Sequence, residues 1–304
     1  MLQLQIISGF RQMQSVAGSV MFAYPPNGFR QARMLSDNDR DEVLSFLRKR
    51  PVHTVVMMSF INDNGLTSEL NRGKFYGFRA ENGKLEGVAL IGHATLIEAR
   101  SNESLQAFAQ LAKKSETPIK LMMSDGKNIE AFWQYFSDGL RQPRLTCKER
   151  LFELSFPFFV QHSNWKLRLA DENELEIIAE AHAEVAFEES GVNPLDKDRE
   201  GFFRRTLRRI QQGRTFVVFD GEKLVFKADI IAETENVIYL EGIYVAPDFR
   251  GRGIGSECLS KLGETLLERA EHICLLSNVK FAAAHKAYFK AGFKSKDSCT
   301  TLFV

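Results

Sequence analysis

Between Val245 and Ser256 the sequence reads VAPDFRGRGIGS and places three glycines, Gly251, Gly253 and Gly255, within five residues. Arg250 and Arg252 interleave with them. The apolar run NVIYLEGIYV precedes this stretch and SECLSKLGETLLERA follows it, so the glycines join a strand to a helix. Successive backbone N–H groups in such a loop can wrap a diphosphate, and the helix N-terminus adds partial positive charge. Glycine lets the phosphates approach the backbone, and the two guanidinium groups add charged donors. Two other nucleotide cradles fit poorly. A Walker A loop needs a Lys followed by Ser or Thr after its last glycine, and none is present. A dinucleotide loop needs Gly-x-Gly-x-x-Gly and an acid about twenty residues on. Here the spacing is Gly-x-Gly-x-Gly, and the next apolar run ends in LLSN. What remains is Arg-x-x-Gly-x-Gly at Arg250, Gly253 and Gly255.

The elements that must carry this loop can be followed along the chain. SVMFAY suits a strand and PPNG a turn. SDNDRDEVLSFLRKRP has cap candidates Ser36 and Asp37, acids in its first turn and bases in its last, which predicts a helix stopping at Pro51. HTVVMMSFI fits a strand or a helix. Asn82-Gly83 predicts a hairpin turn within KFYGFRAENGKLEGVALIG. ESLQAFAQLAKKS, PIKLMMS, NIEAFWQYFSDGL and RLFELS read as helix, strand, helix and strand, and LEGVALIGHATLI reads as one strand. FPFFVQHSNW then breaks the pattern, which puts a domain boundary near Val160.

The order repeats after it. KLRLA is a short strand. Asp171 and Glu174 form a capping-box pattern at the head of a helix ending at Gly191. A second helix ends at Gly213, a hairpin turns at Asp220-Gly221, and strand, loop, helix, strand, helix and strand follow. The expectation is two domains, 1–160 and 161–304, each an α/β fold with a mixed, mostly antiparallel sheet flanked by helices.

Composition narrows the function classes. The chain has 304 residues, 44% apolar and 26% charged, as in an ordinary globular protein. A net charge of +1 gives no bulk attraction to nucleic acid or to a membrane surface. Cys147, Cys258, Cys274 and Cys299 are scattered, which fits reduced thiols in the cytoplasm and gives no metal site. No signal peptide or membrane-spanning run is legible. The basic run RRTLRR, Arg204–Arg209, is expected to form a solvated helix side opposite Phe203, Leu207 and Ile210. His182 and His285 fall within helical patterns and are expected to be surface or satisfied residues.

The segment IYVAPDFRGRGIGSECLSKL resembles the acetyl-CoA loop of the GNAT N-acetyltransferases, and NVKFAAAHKAYFKAGF is similar to that family's last helix. The resemblance covers Trp165 to Val304. The first half looks like an uncharacterised N-terminal domain found ahead of some bacterial GNAT domains, a degenerate copy of the same fold. Its EARSNES stretch lacks Arg-x-x-Gly-x-Gly, so one acyl-CoA site is expected, in the second half.

The resemblance implies direct transfer from acetyl-CoA, or another short acyl-CoA, to a primary amine in a ternary complex, with no metal. It assigns Ile243, Tyr244 and Val245 to backbone pairing with the pantetheine arm, and Arg250, Gly251, Arg252, Gly253, Ile254, Gly255 and Ser256 to the diphosphate. Tyr288 takes the place of the acid that protonates the leaving thiolate, a role suited to a phenol. Asn278 and Phe281 stand near the pantetheine, Phe281 where relatives often have asparagine. Glu241, four residues before Val245, is the candidate base, and strand alternation places it on the face of Ile243 and Val245. Glu188 and Glu189 lie where the substrate-covering region begins. The acceptor is unidentified, no nucleic-acid or membrane partner is expected, and a homodimer is left open. The other readings are a non-catalytic acyl-CoA sensor and a tandem-GNAT synthase acetylating a small sugar-amine thiol precursor.

Overall fold

The Asn82-Gly83 turn closes a hairpin between β2 (Gly73–Arg79) and β3 (Leu85–Gly92), with Gly83 at φ +79° as a tight turn requires. The computed structural model describes residues 32–304, so the expected strand SVMFAY and the PPNG turn lie outside the described residues. Ahead of the hairpin come β1 (Arg33–Met34), α1 (Arg40–Leu47) and α2 (Pro51–Asn64). α1 stops at Leu47, short of Pro51, and Pro51 instead opens α2 at a first-turn position that needs no N–H donor. HTVVMMSFI is therefore helical and buries Val55, Met57, Met58 and Ile61. LEGVALIGHATLI is not one strand. It folds back at His93 into β3 and the antiparallel β4 (Ala94–Ala99). The half continues with α3 (Asn102–Lys113), β5 (Leu121–Asp125), α4 (Gly126–Ser137) and β6 (Leu145–Leu154).

The second half repeats this order: β7 (Arg168–Leu169), α5 (Leu175–Ser190), α6 (Pro194–Gln211), β8 (Thr215–Asp220), β9 (Lys223–Glu233), β10 (Val237–Val245), α7 (Ile254–Leu266), β11 (His272–Asn278), α8 (Ala282–Ala291) and β12 (Lys294–Phe303). The Asp171–Glu174 capping box forms just ahead of α5. The Asp220-Gly221 turn joins β8 to β9 with Gly221 at φ +59°.

All twelve strands form one mixed sheet in the order β1-β2-β3-β4-β5-β12-β6-β11-β10-β9-β8-β7. Read from the other end, the order is the same with every strand replaced by its counterpart in the other half. The last strand of each half sits inside the other half: β12 lies between β5 and β6, and β6 lies between β12 and β11. The packing follows this exchange. Phe152 and Leu154 of β6 are fully buried in the core between the sheet and α7 and α8. Leu302 of β12 packs with Phe108, Phe132 and Trp133 under α3 and α4. Each such side chain contributes about 1.5–3 kcal/mol by burial, so each half draws core stability from the other.

Candidate active site

The site begins where two strands part. β10 pairs with β11 in parallel from Val237/His272 to Leu240/Leu275 and no further, although both strands run on. Beyond Leu240 the edge of β10 that faced β11 is free of that partner. A bulge marks the same point. Glu241 is opposite Asp229 and Tyr244 is opposite Lys227, so three steps on β10 span two on β9. Gly242 takes up the extra residue at φ +59°, a conformation that glycine adopts without strain.

The bulge reverses the alternation. Ile238 and Leu240 belong to the core under α7 and α8, and Ile243 and Val245 pack against that same core. Tyr239 packs instead on the face of Val55 of α2, and Tyr244 on the face of Ile178 and Ala181 of α5. Glu241 therefore shares the face of Tyr239 and lies opposite Ile243 and Val245, contrary to the strict two-residue period. The inserted glycine is the reason.

At the end of β10 the glycine loop leads into α7. Gly251 and Gly253 have φ of +78° and +89°, and a Cβ built on Gly251 would meet nothing within 4 Å. Gly253 caps α7 with no side-chain hydrogen bond, so the helix end presents bare backbone. The corresponding end of α3 is closed by its own sequence, where the Ser101 hydroxyl accepts from the Ser104 N–H at 3.3 Å. The two arginines have different settings. Arg250 turns back to α5: its Nε donates to the Val245 carbonyl at 2.8 Å, and its guanidinium lies 3.3 Å from Glu184 and 3.7 Å from Glu188. Arg252 is exposed, over the ring of Phe249 at 5.6 Å. Ile254 is buried in the core, and the Ser256 hydroxyl donates to the Gly253 carbonyl at 2.7 Å.

Tyr288 projects from α8 against Phe152, ring to ring at 5.2 Å, and bonds to Ser277 of β11. Burial pushes its phenol up to about 12, with the charge of Glu189 adding to the effect, so it carries its proton at neutral pH. Asn278 ends β11 and its Oδ1 accepts from the Lys280 N–H at 3.0 Å. Phe281 precedes α8, beneath the Lys280 ammonium at 4.9 Å.

Three carboxyls, Glu149, Glu189 and Glu241, interact electrostatically. Burial raises Glu241 above the ordinary carboxyl range, opposed by a hydrogen bond with Tyr239 and the charge of Arg209. The residue nonetheless remains exposed to water. Glu149 of β6 is held up at about 7, first by burial and then by Glu241, while its Oε2 accepts from Thr301 at 2.6 Å. Glu189, at the end of α5, is raised to about 8 by burial and by Glu241, Glu149 and Glu188 in turn. Glu149 belongs to the first half and carries no motif. Only the exchange of β6 brings it here, so no sequence signal could have found it.

The basic run and His285 depart from expectation, whereas His182 is a satisfied histidine as expected. Arg209 leaves the solvated side of α6 and reaches Asp229 at 3.2 Å, while Phe202, Thr206 and Ile210 form the buried side. His182 faces the same Asp229 at 3.0 Å, and burial lowers its imidazole to about 4. His285 is buried beside Phe152, with its Nε2 lacking a hydrogen bond.

Residues 211–295, which span β8 to α8, match the family model described as Acetyltransferase (GNAT) domain. The match lies wholly within the second half of the chain. Comparison with curated proteins finds no match. Among solved structures, a GNAT-family acetyltransferase from Colwellia psychrerythraea superposes with a TM-score of 0.54 at 15% identity, over 90% of this chain and 100% of that one. A GCN5-related N-acetyltransferase from Sphaerobacter thermophilus gives 0.57 at 12% identity, over 89% and 93%. A tandem GNAT protein from the clavulanic acid biosynthesis pathway gives 0.53 at 11% identity, over 90% and 98%. At these identities the shared property is the fold, and it extends through both halves. The matched segment thus has a partner half of like architecture, consistent with a degenerate first copy of the fold. No helix among the described residues is long and apolar enough to cross a membrane.

Proposed function

We propose that the protein is a cytoplasmic N-acetyltransferase that moves the acetyl group of acetyl-CoA to a primary amine by direct attack. The observation that carries this reading is the occurrence of three features in the second half. These are the strand edge at Ile243–Val245, free of β11, the uncapped glycine loop at Gly251–Gly255, and the protonated Tyr288. In this reading the free edge pairs with the pantetheine arm. The loop holds the diphosphate through its N–H groups, with Arg252 as the available cation and Arg250 bracing the loop against α5. Asn278 and Phe281 stand near the pantetheine in the same reading.

The carboxyl groups on the opposite face receive the acceptor. An ammonium group suits Glu149, Glu189 and Glu241, because a cation relieves their mutual repulsion. Glu241, supported by the other two, takes a proton from the ammonium group and so exposes the nitrogen lone pair. The lone pair forms the N–C bond as the C–S bond breaks, the departing sulfur takes the proton of Tyr288, and the second proton, shed by the acylated nitrogen, restores the phenol. We assign residues 161–304 the catalytic role and residues 1–160 the role of shaping the acceptor groove, through β6 and α2. Calorimetric titration with acetyl-CoA, followed by CoA release across a panel of primary amines, tests the reading. A folded protein that binds no acetyl-CoA would overturn it.

A further inference from the structure

Beneath the bulge lies a group of buried polar and ionisable side chains that the transfer chemistry does not use. Lys227 and Asp229 of β9 have no exposed side-chain surface. Lys227 Nζ donates to the Gly242 carbonyl at 3.0 Å and also to Asp229 Oδ2. That oxygen faces His182 Nδ1 at 3.0 Å and accepts from Arg209 at 3.2 Å, while the other accepts from the Thr215 hydroxyl at 2.8 Å. Lys227 and Asp229 are also the register partners of Tyr244 and Glu241, the residues on either side of the bulge.

The contact with the bulge is close. A Cβ on Gly242 would lie 2.8 Å from Lys227 Nζ, 2.9 Å from Asp229 Oδ2 and 3.2 Å from His182 Nδ1. A buried ionic group of this kind adds little stability over apolar packing of the same volume. Its specific effect is directional. It gives the turned Gly242 carbonyl a charged donor that a regular strand would leave unmatched. Among the described side chains, Lys227 is the one that reaches this carbonyl.

We infer that Lys227, Asp229 and His182 are positioning residues that hold the Gly242 bulge, and through it fix both the direction of Glu241 and the free edge at Ile243–Val245. The kinetic part of this inference rests on the acetyl-transfer reading, and the structural part does not.

The test uses the full chain and the Lys227→Met variant, which keeps the length of the side chain and removes its donor. Leu47→Ala, a fully buried site in the first half away from the bulge, serves as a control for general destabilisation. Amide hydrogen exchange at Gly242 and Ile243 reads the bulge, and titration with acetyl-CoA reads the strand edge. Lys227→Met should speed exchange at both amides beyond the rest of β10 and weaken acetyl-CoA binding about tenfold. Gly242→Ala should do the same, and the double variant should be no weaker than the worse single one, because both act on one feature. A lower melting temperature with exchange and affinity matching the Leu47→Ala control overturns the inference. If Lys227→Met does not fold, His182→Leu replaces it with the same readouts and the same deciding result. If the unaltered protein binds no acetyl-CoA, the functional reading fails, and the exchange measurement still decides whether the clamp holds the bulge.

Discussion

Glu149 of β6 is the register partner of Asn278 of β11, so a carboxyl from the first half stands beside the last residue of the strand that has parted from β10. In the proposed reading the acceptor side is thus assembled by both halves, while the diphosphate loop belongs to the second alone.

Gly253→Val should abolish acetyl-CoA binding while leaving the fold intact. Gly253 sits at φ +89°, which a β-branched residue adopts only with strain of about 1–3 kcal/mol. Relaxing that strain would turn the N–H groups of the loop away from the diphosphate. Calorimetric titration, with circular dichroism as the folding control, checks it. Wild-type affinity in a folded variant would remove the loop from the site.

Tyr288→Phe should lower kcat by about a hundredfold or more, the range of a lost general acid, and leave the acetyl-CoA dissociation constant nearly unchanged. The ring would keep its contact with Phe152, and only the bond to Ser277 and the transferable proton would be lost. Steady-state kinetics with a saturating amine would measure it. An unchanged kcat means the sulfur takes its proton elsewhere.

Glu149 and Glu189 tie both activity and stability to pH. Their folded values of about 7 and about 8 lie above the ordinary 4.5, so below that point they are protonated in the folded and unfolded states alike. As pH rises from about 4.5 toward about 8 the unfolded chain ionises first, and folding stability should fall. The water that reaches Glu189 tempers the effect. The double variant Glu149→Gln, Glu189→Gln should show a smaller drop in melting temperature between about pH 5 and pH 8 in scanning calorimetry. Activity should run the opposite way, rising over the same interval as the carboxyls become able to hold an ammonium group. Parallel melting curves for the variant and the parent would show that these carboxyls do not couple to folding.

Residues 161–304 expressed alone should fail to fold, because β11 and β12 would flank an empty place where β6 supplies Phe152 and Leu154. Adding residues 1–160 in trans should restore a soluble complex. Size-exclusion chromatography and near-ultraviolet dichroism would follow this, and a stable isolated second half would show that β6 is dispensable.

The order of elements, both hairpin turns, the Asp171–Glu174 cap and the glycine loop were legible in the chain because each depends on local chemistry: turn glycines, capping side chains and short-range periodicity. The same locality explains what was misread. HTVVMMSFI is apolar on every side, so its period could not separate a helix from a strand, and packing against the sheet decided it. Glu241 was assigned its face by counting in twos, and a single bulge residue moved it to the other face.

The sequence by itself determined the glycine loop between a strand and a helix and the helix that carries Tyr288, since those features lie within one strand–loop–helix run and the next helix. The tertiary structure alone decided that β6 and β12 exchange places, that Arg209 and His182 turn inward to Asp229, and that Glu149 joins Glu189 and Glu241. These residues are far apart in the chain, and their meeting is set by the pairing of strands, which no local pattern of residues encodes.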